Sequence, residues 1–512
     1  MVISTLKITL KQHKSLISKN IIDKTGHLLV LLPPLKKGSQ KPPAWPNFPY
    51  SEQLQKRWKD RTASVKEQAL LVTDLPNNNA TRVFLTTASA NSNAFKRLNQ
   101  AREIIAAALV DNPDSLVLVM PGLDEEQQTQ CAETLISAAL AACHSLPSFS
   151  KKHPAARKLK AIHIYGCEAK LDTRRLLTEA DGNNLARSLT ALPPNKLAPK
   201  DYLKQIRILA KTQGWKLEFL DHKALLRKKA GAFLAVSQGS DHKDAGIVHL
   251  SYRPSTAGAA KNLHRLALVG KGICFDTGGT NLKPAKFMHG MHEDMQGSAV
   301  ALGTLLTLSQ LKVPFAIDCW LALAENHIGP NAYKQNDVVT ACNGTTIEVM
   351  HTDAEGRMVL ADTLALAARS KPDLIIDYAT LTGTCIYALG THYSGVFTNR
   401  DRLRETLIEA GRDSGERVWP FPMDEDFDTA LESQVADIKQ CTLGGEPDHI
   451  LAARFLQRFV DERPWIHIDL AAGNNKGGLA HIPSDITGFG VRFTVKLLLD
   501  KVLDKDIWHA ID

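Results

Sequence analysis

Leu266-Ala267-Leu268-Val269-Gly270-Lys271-Gly272 is the stretch on which the fold turns. Four apolar residues of strand character run into a lysine held between two glycines, and a polar, small-residue segment follows. The same rhythm recurs downstream. Residues 316–324 end at Glu325-Asn326, and 346–350 lead into the Asp353 segment. Residues 374–378 lead into Thr380-Leu381-Thr382-Gly383, and 465–470 into Ala471-Ala472-Gly473. Strand, polar turn and helix, repeated, predict an α/β fold with a largely parallel central sheet flanked by helices. In such sheets ligands bind beyond the carboxyl ends of the strands, so the polar turns should converge.

Working outward, the chain of 512 residues is long enough for two domains. Strand patterns at 70–73, 82–87, 116–120 and 161–165, with helical patterns at 93–110 and 125–143, give the first part a mixed α/β character. Residues 32–49, rich in proline and lysine, read as a surface loop. A helical segment near 178–189 leads to Leu192-Pro193-Pro194-Asn195, and the boundary is expected just before it. The expectation is a smaller N-terminal α/β domain over 1–184, with an assembly or regulatory role, and a catalytic domain over 185–512.

Hydrophobic content of 44% and charged content of 23% are those of a globular chain with a sizeable core. No apolar run reaches the ~20 residues of a membrane helix. The start lacks the apolar stretch of a secretory signal. It also lacks arginine, which argues against a transit peptide despite Lys7, Lys11, Lys14 and Lys19. Eight scattered cysteines without a CxxC pair suit free thiols, and hence the cytoplasm. The net charge of +8 resides entirely in residues 1–60, where ten Lys and one Arg face Asp23, Glu52 and Asp60. This excess reads first as a solvated face and second as a nucleic-acid contact, although no helix-turn-helix or zinc-finger pattern accompanies it.

The acids Asp276, Asp294, Asp353 and Glu355 sit in or beside the polar turns. Asp353 and Glu355, two apart, would face one side in extended geometry. Singly, each acid reads as a helix cap, and Lys283 before Pro284 as a loop lysine. Crowded in a cleft, however, carboxylates repel one another and call for cations, and oxygen-rich sites suit divalent metals. Two metals about 3.5–4 Å apart would clamp a water and a substrate oxygen. Lys271, Lys283 and Arg357 accompany the acids. A lysine could bind a metal as the neutral amine or stabilise an oxyanion. Arg357, near the start of a helix, could hold a small anion. Cys274 and Cys385 read as packing residues. His289, His292 and His351 lack zinc-site spacing.

The combination Lys271-Gly272-Ile273-Cys274-Phe275-Asp276-Thr277-Gly278-Gly279, Lys283-Pro284, Asp294 and Thr352-Asp353-Ala354-Glu355-Gly356-Arg357 resembles the leucyl aminopeptidase (cytosol aminopeptidase) family in order and spacing. The resemblance covers roughly residues 185–512. It implies a metal-dependent exopeptidase acting on peptides with a free N-terminus, leucine-like residues preferred. It implies two divalent ions per subunit, zinc or manganese, with magnesium or cobalt as alternatives. Lys271, Asp276, Asp294 and Glu355 would hold one ion. Asp276, Asp353 and Glu355 would hold the other. Lys283 would polarise the scissile carbonyl. Arg357, with Leu381, would hold a bicarbonate acting as general base. Met291, Thr380, Gly383 and Ala472 would line the pocket for the first side chain, and the assembly would be a homohexamer. The chain departs from the family pattern at His351 (usually Asn), Thr277 (more commonly Ser), His292-Glu293, residues 474–483, and Asp448-His449, which replace small residues.

Overall fold

The computed structural model describes residues 8–34, 45–62, 70–89, 93–151, 157–255, 263–444 and 446–502. The proline- and lysine-rich loop expected at 32–49 falls largely outside them, as does part of the basic region 1–60. The chain divides into two compact units. One runs through Ala180 and takes in Gly477–Pro483; the other holds Asp181–Lys476 and the chain from Ser484.

The first unit is built on a six-stranded sheet of β1 (Thr9–His13), β2 (His27–Leu32), β3 (Leu71–Asp74), β4 (Arg82–Thr87), β5 (Ser115–Val119) and β6 (Ala161–Tyr165), in the order β1-β6-β5-β2-β4-β3. All neighbours are parallel except β3, which pairs antiparallel with β4 at one edge. Helices Ala94–Ala108 and Glu125–Cys143 follow the expected patterns closely, and Asp124 caps the second in a reciprocal capping box. Strands β1 and β2 were not foreseen from the sequence.

The second unit continues with β7 (Lys216–Leu220), β8 (Gly246–Tyr252), β9 (Arg265–Asp276), β10 (Ala316–Asn326), β11 (Val338–Thr340), β12 (Thr346–Glu348), β13 (Leu374–Ala379), β14 (Ser394–Thr398), β15 (Val418–Pro420), β16 (Ile438–Lys439) and β17 (Trp465–Asp469). Eight of these form a sheet in the order β15-β14-β17-β13-β9-β10-β8-β7. Its centre, β17-β13-β9-β10, is parallel throughout, and antiparallel pairings occur only toward the edges. Strands β11, β12 and β16 make a small separate sheet. The fold is the expected α/β arrangement. Every residue of β10 is buried, as a strand covered on both faces requires. Helices Gln296–Leu311 and Glu355–Ala368 are buried along their whole or nearly whole length and pack against β9 and its neighbours.

Two local expectations are corrected. Gly270-Lys271-Gly272 is not a turn: β9 runs through it to Asp276. The glycines serve close packing. A β-carbon on Gly270 would stand 2.4 Å from Ser298 Cα, and one on Gly297 would stand 2.0 Å from Tyr378 O, so the start of helix Gln296–Leu311 lies directly on the sheet. Nor do Asp353 and Glu355 share an extended strand end. β12 stops at Glu348, and Glu355 is the first residue of helix Glu355–Ala368.

Candidate active site

Four carboxylates and two lysines converge where β9, β10 and β13 end. Lys271, inside β9, reaches Asp294 Oδ1 at 2.8 Å and Glu355 Oε1 at 2.9 Å, and donates to the Thr380 carbonyl at 2.7 Å. Asp276 closes the same strand. Its Oδ2 lies 2.9 Å from Lys283 Nζ, which also lies 2.5 Å from Asp353 Oδ1. Oxygens of Asp276, Asp353 and Glu355 all lie within 4.8 Å of one another. Asp294 stands outside that trio and joins it through Lys271. The six residues proposed from sequence thus come together in one place.

The supporting residues hold this cluster by hydrogen bonds. Asp276 Oδ1 accepts from Gly278 N–H and from Asn326 Nδ2, both at 2.8 Å. Gly278 adopts φ +87°, a conformation that suits glycine, and so lets the chain fold back on its own aspartate. Asn326 also donates to the Thr352 carbonyl at 3.0 Å, and the buried Tyr333 hydroxyl donates to the same oxygen at 2.7 Å. The Thr352 hydroxyl donates to Gly278 O at 2.7 Å. Gln440 accepts from Met350 and His351 N–H and donates to Ala354 O, bracketing the turn before Glu355. From sequence, Asn326, Tyr333 and Gln440 receive no role in the site. Only Asn326, a polar residue closing a long apolar run, carried a local signal.

Four carboxylates face two ammonium groups, so the centre is short of positive charge. Burial raises the Asp353 pKa, and the charges of Asp276 and Glu355 add to it, pushing it up to about 7 despite Lys283. Burial and Asp276 likewise raise Glu355. Burial disfavours the Lys271 charge, but Asp294, Glu355 and Asp276 outweigh it and hold the ammonium. Asp294 Oδ2 and Glu355 Oε2 are buried with no hydrogen-bond partner among the described residues. Buried acceptors without donors carry a desolvation cost that a cation relieves. The donor set, rich in carboxylate oxygens, therefore fits divalent metal ions, which would displace the Lys271 proton.

The remaining sequence candidates lie around this centre. Thr380 Oγ1 donates to Asp294 Oδ1 at 2.7 Å. Gly383 begins helix Gly383–Leu389; a β-carbon there would meet only the Tyr387 ring, at 4.0 Å, so the residue fronts open space. Ala472 is buried, its N–H donating to Ser394 Oγ, and Met291 is half-buried in the short turn before Asp294. His351 Nδ1 accepts from Asp353 N–H at 3.3 Å, and burial together with Lys283 lowers its pKa. The expected bicarbonate does not fit. Arg357 Nη2 already donates to both oxygens of Asp448, at 2.8 and 2.7 Å, and Leu381 N–H is directed at Asp469 Oδ1, 3.2 Å away.

Fold and site together define an α/β protein whose parallel strands deliver a buried carboxylate–lysine centre at their carboxyl ends. The profile of the cytosol aminopeptidase family, catalytic domain, matches residues 184–495, and the chain belongs to that family of peptidases. A probable cytosol aminopeptidase of Wolbachia pipientis is 42% identical over 64% of this chain, a match spanning 65% of that relative, just under two thirds of its length. One from Pseudomonas fluorescens is 37% identical over 85% of this chain and 88% of its own. A solved structure of a tomato leucine aminopeptidase mutant superposes with a TM-score of 0.80 at 27% identity, covering 97% of both chains. Among the described residues no helix is long and apolar enough to cross a membrane.

Proposed function

We propose that the protein is a metal-dependent aminopeptidase that removes N-terminal residues, leucine-like ones preferred, from peptides. The observation that carries this reading is the cluster of Asp276, Asp353 and Glu355 oxygens within 4.8 Å, paired with Lys271 and Lys283. Lys271, as the neutral amine that a neighbouring dication would enforce, would join Asp276, Asp294, Asp353 and Glu355 in holding two divalent cations, zinc or manganese ahead of magnesium or cobalt. Bound there, the ions would supply Lewis acidity and a water made acidic enough to react near neutral pH.

The chain's own groups then have separate tasks. Lys283 offers an ammonium at the mouth of the cluster, where it would stabilise the oxyanion developing on the scissile carbonyl. Thr380 orients Asp294 through its hydroxyl and Lys271 through its carbonyl. A free terminal amine keeps a lone pair with which it could bind one of the ions, which the amide of an internal bond lacks, and this would account for cutting at the chain end. Met291, Thr380, Gly383 and Ala472 would line the space for the first side chain. In this reading residues 185–512 are the catalytic domain, 1–184 have an assembly or regulatory role, and the assembly is a homohexamer. The eight free cysteines suit the cytoplasm.

The test is release of p-nitroaniline from leucine p-nitroanilide by protein supplied with Mn²⁺ or Zn²⁺, with the N-acetylated substrate left intact. Absence of turnover on every aminoacyl anilide tried, with metal bound, overturns the reading.

A further inference from the structure

Arg357 is 1% exposed, and a buried guanidinium requires a counter-anion. Asp448 supplies it: both carboxylate oxygens accept from Nη2, while Nη1 donates to the Gln440 carbonyl at 3.1 Å. Among the described residues Nε alone lacks an acceptor, and one nitrogen does not give the two-point grip that a guanidinium offers a planar oxyanion. The second donor expected for a free anion is also engaged. Asp469 Oδ1 faces Leu381 N–H, and its Oδ2 accepts from the Thr382 hydroxyl at 2.6 Å. Asp448 is itself held in place. It opens helix Asp448–Gln457, and the next residue's N–H donates to Thr384 Oγ1 at 3.0 Å.

We infer that Asp448 is the resident counter-anion of Arg357. The chain carries in its own sequence the carboxylate that a free anion such as bicarbonate would otherwise provide, and the site takes up no free anion while Asp448 is present. Asp448 is a positioning residue. It fixes the guanidinium two residues after Glu355, on the same helical turn, and a third of its side chain remains open to solvent.

Calorimetric titration of bicarbonate, and separately of acetate, into the metal-loaded full chain tests this directly. Wild type is expected to show no saturable uptake of either anion. Asp448→Ala is expected to bind one equivalent, and to lose that binding when Arg357→Met is added. In carbon dioxide-depleted buffer, added bicarbonate should leave wild-type turnover of leucine p-nitroanilide unchanged. Asp448→Ala should lose about 10–100-fold in kcat with KM little moved, and recover several-fold with bicarbonate or acetate. Anion rescue is not expected of a residue that merely supports the fold. Stoichiometric bicarbonate uptake by wild type overturns the inference, as does an Asp448→Ala protein that gains no anion affinity. Asp448→Ser opens the same space should the alanine variant not fold. The kinetic arm rests on the aminopeptidase reading. The calorimetric arm does not, so the failure of one is distinguishable from the failure of the other.

Discussion

The Lys271 ammonium stands 2.7 Å from the point that a β-carbon on Gly356 would occupy, and Lys271 Cε is equally close. Carbon atoms in contact sit about 3.5–4 Å apart, so the lysine passes through space that only glycine leaves free. Gly356 is the second residue of helix Glu355–Ala368, where alanine would ordinarily favour the helix. Its presence is therefore a requirement of Lys271. Gly356→Ala is expected to displace the ammonium from Asp294 and Glu355, lowering metal affinity and kcat by about 10–100-fold. The thermal midpoint should move little. Metal content after gel filtration, measured beside kcat, checks this; full metal occupancy with wild-type kcat would show that Lys271 has room to spare.

Asn326 and Tyr333 converge on one acceptor, the Thr352 carbonyl, but are not equivalent. Asn326 also donates to Asp276, whereas the Tyr333 hydroxyl has this bond alone among those described. Tyr333→Phe leaves the carbonyl one donor and should cost about 1 kcal/mol in denaturant titration. Asn326→Ala strips donors from two buried oxygens. It should cost about 2–3 kcal/mol and weaken metal binding as well, since Asp276 loses its orientation. Equal effects of the two substitutions on metal affinity would contradict the separate role given to Asn326.

How much of this was legible follows from what is local. The apolar runs at 266–269, 374–378 and 465–470 became β9, β13 and β17, and the acids beyond them met as the topology of a parallel sheet demands. Gly270 and Gly272 misled because a glycine that allows a turn and one that admits a neighbouring helix look alike in sequence. Asp353 and Glu355 were placed together for the wrong reason: a helix start, rather than an extended strand, gathers them. The pair Arg357–Asp448 spans 91 residues, and no local pattern announces it. In β1, Thr9-Leu10-Lys11-Gln12-His13 has too few apolar positions to read as a strand; pairing with β6 makes it one.

Asp318, which is not among the proposed metal ligands, gives a pH prediction. Its side chain is 4% exposed and accepts from His249 Nε2 and Arg253 Nη2, both 2.9 Å from Oδ1. Burial alone would raise its pKa, but the His249 and Arg253 hydrogen bonds and the Arg253 charge prevail and hold it at about 2. The ordinary value is about 3.9. A depressed folded-state pKa gives stability that is present above pH ~4 and lost as pH falls through ~2, worth about 2 kcal/mol. The difference in urea midpoint between wild type and Asp318→Asn should therefore be constant from pH 7 to about 4.5 and shrink below it. A difference that persists unchanged to pH 2.5 would mean that Asp318 is not held in its charged form.

Metal removal should be felt by the fold itself. Asp294 Oδ2 and Glu355 Oε2 are buried acceptors without donors among the described residues, and the four carboxylates outnumber the two lysines beside them. A ligand that binds only the folded state at 100 times its dissociation constant stabilises it by about 2.7 kcal/mol. Dialysis against a chelator should thus lower the melting temperature by several degrees, and stoichiometric Mn²⁺ or Zn²⁺ should restore it. The double substitution Asp294→Asn with Glu355→Gln lowers the repulsion and removes two of the five proposed ligands, Asp294 from one ion's set and Glu355 shared by both. Its melting temperature should sit at or above that of the metal-free wild type and respond less to metal. Scanning calorimetry of the four samples decides the matter: a metal response undiminished by both substitutions places the cations elsewhere.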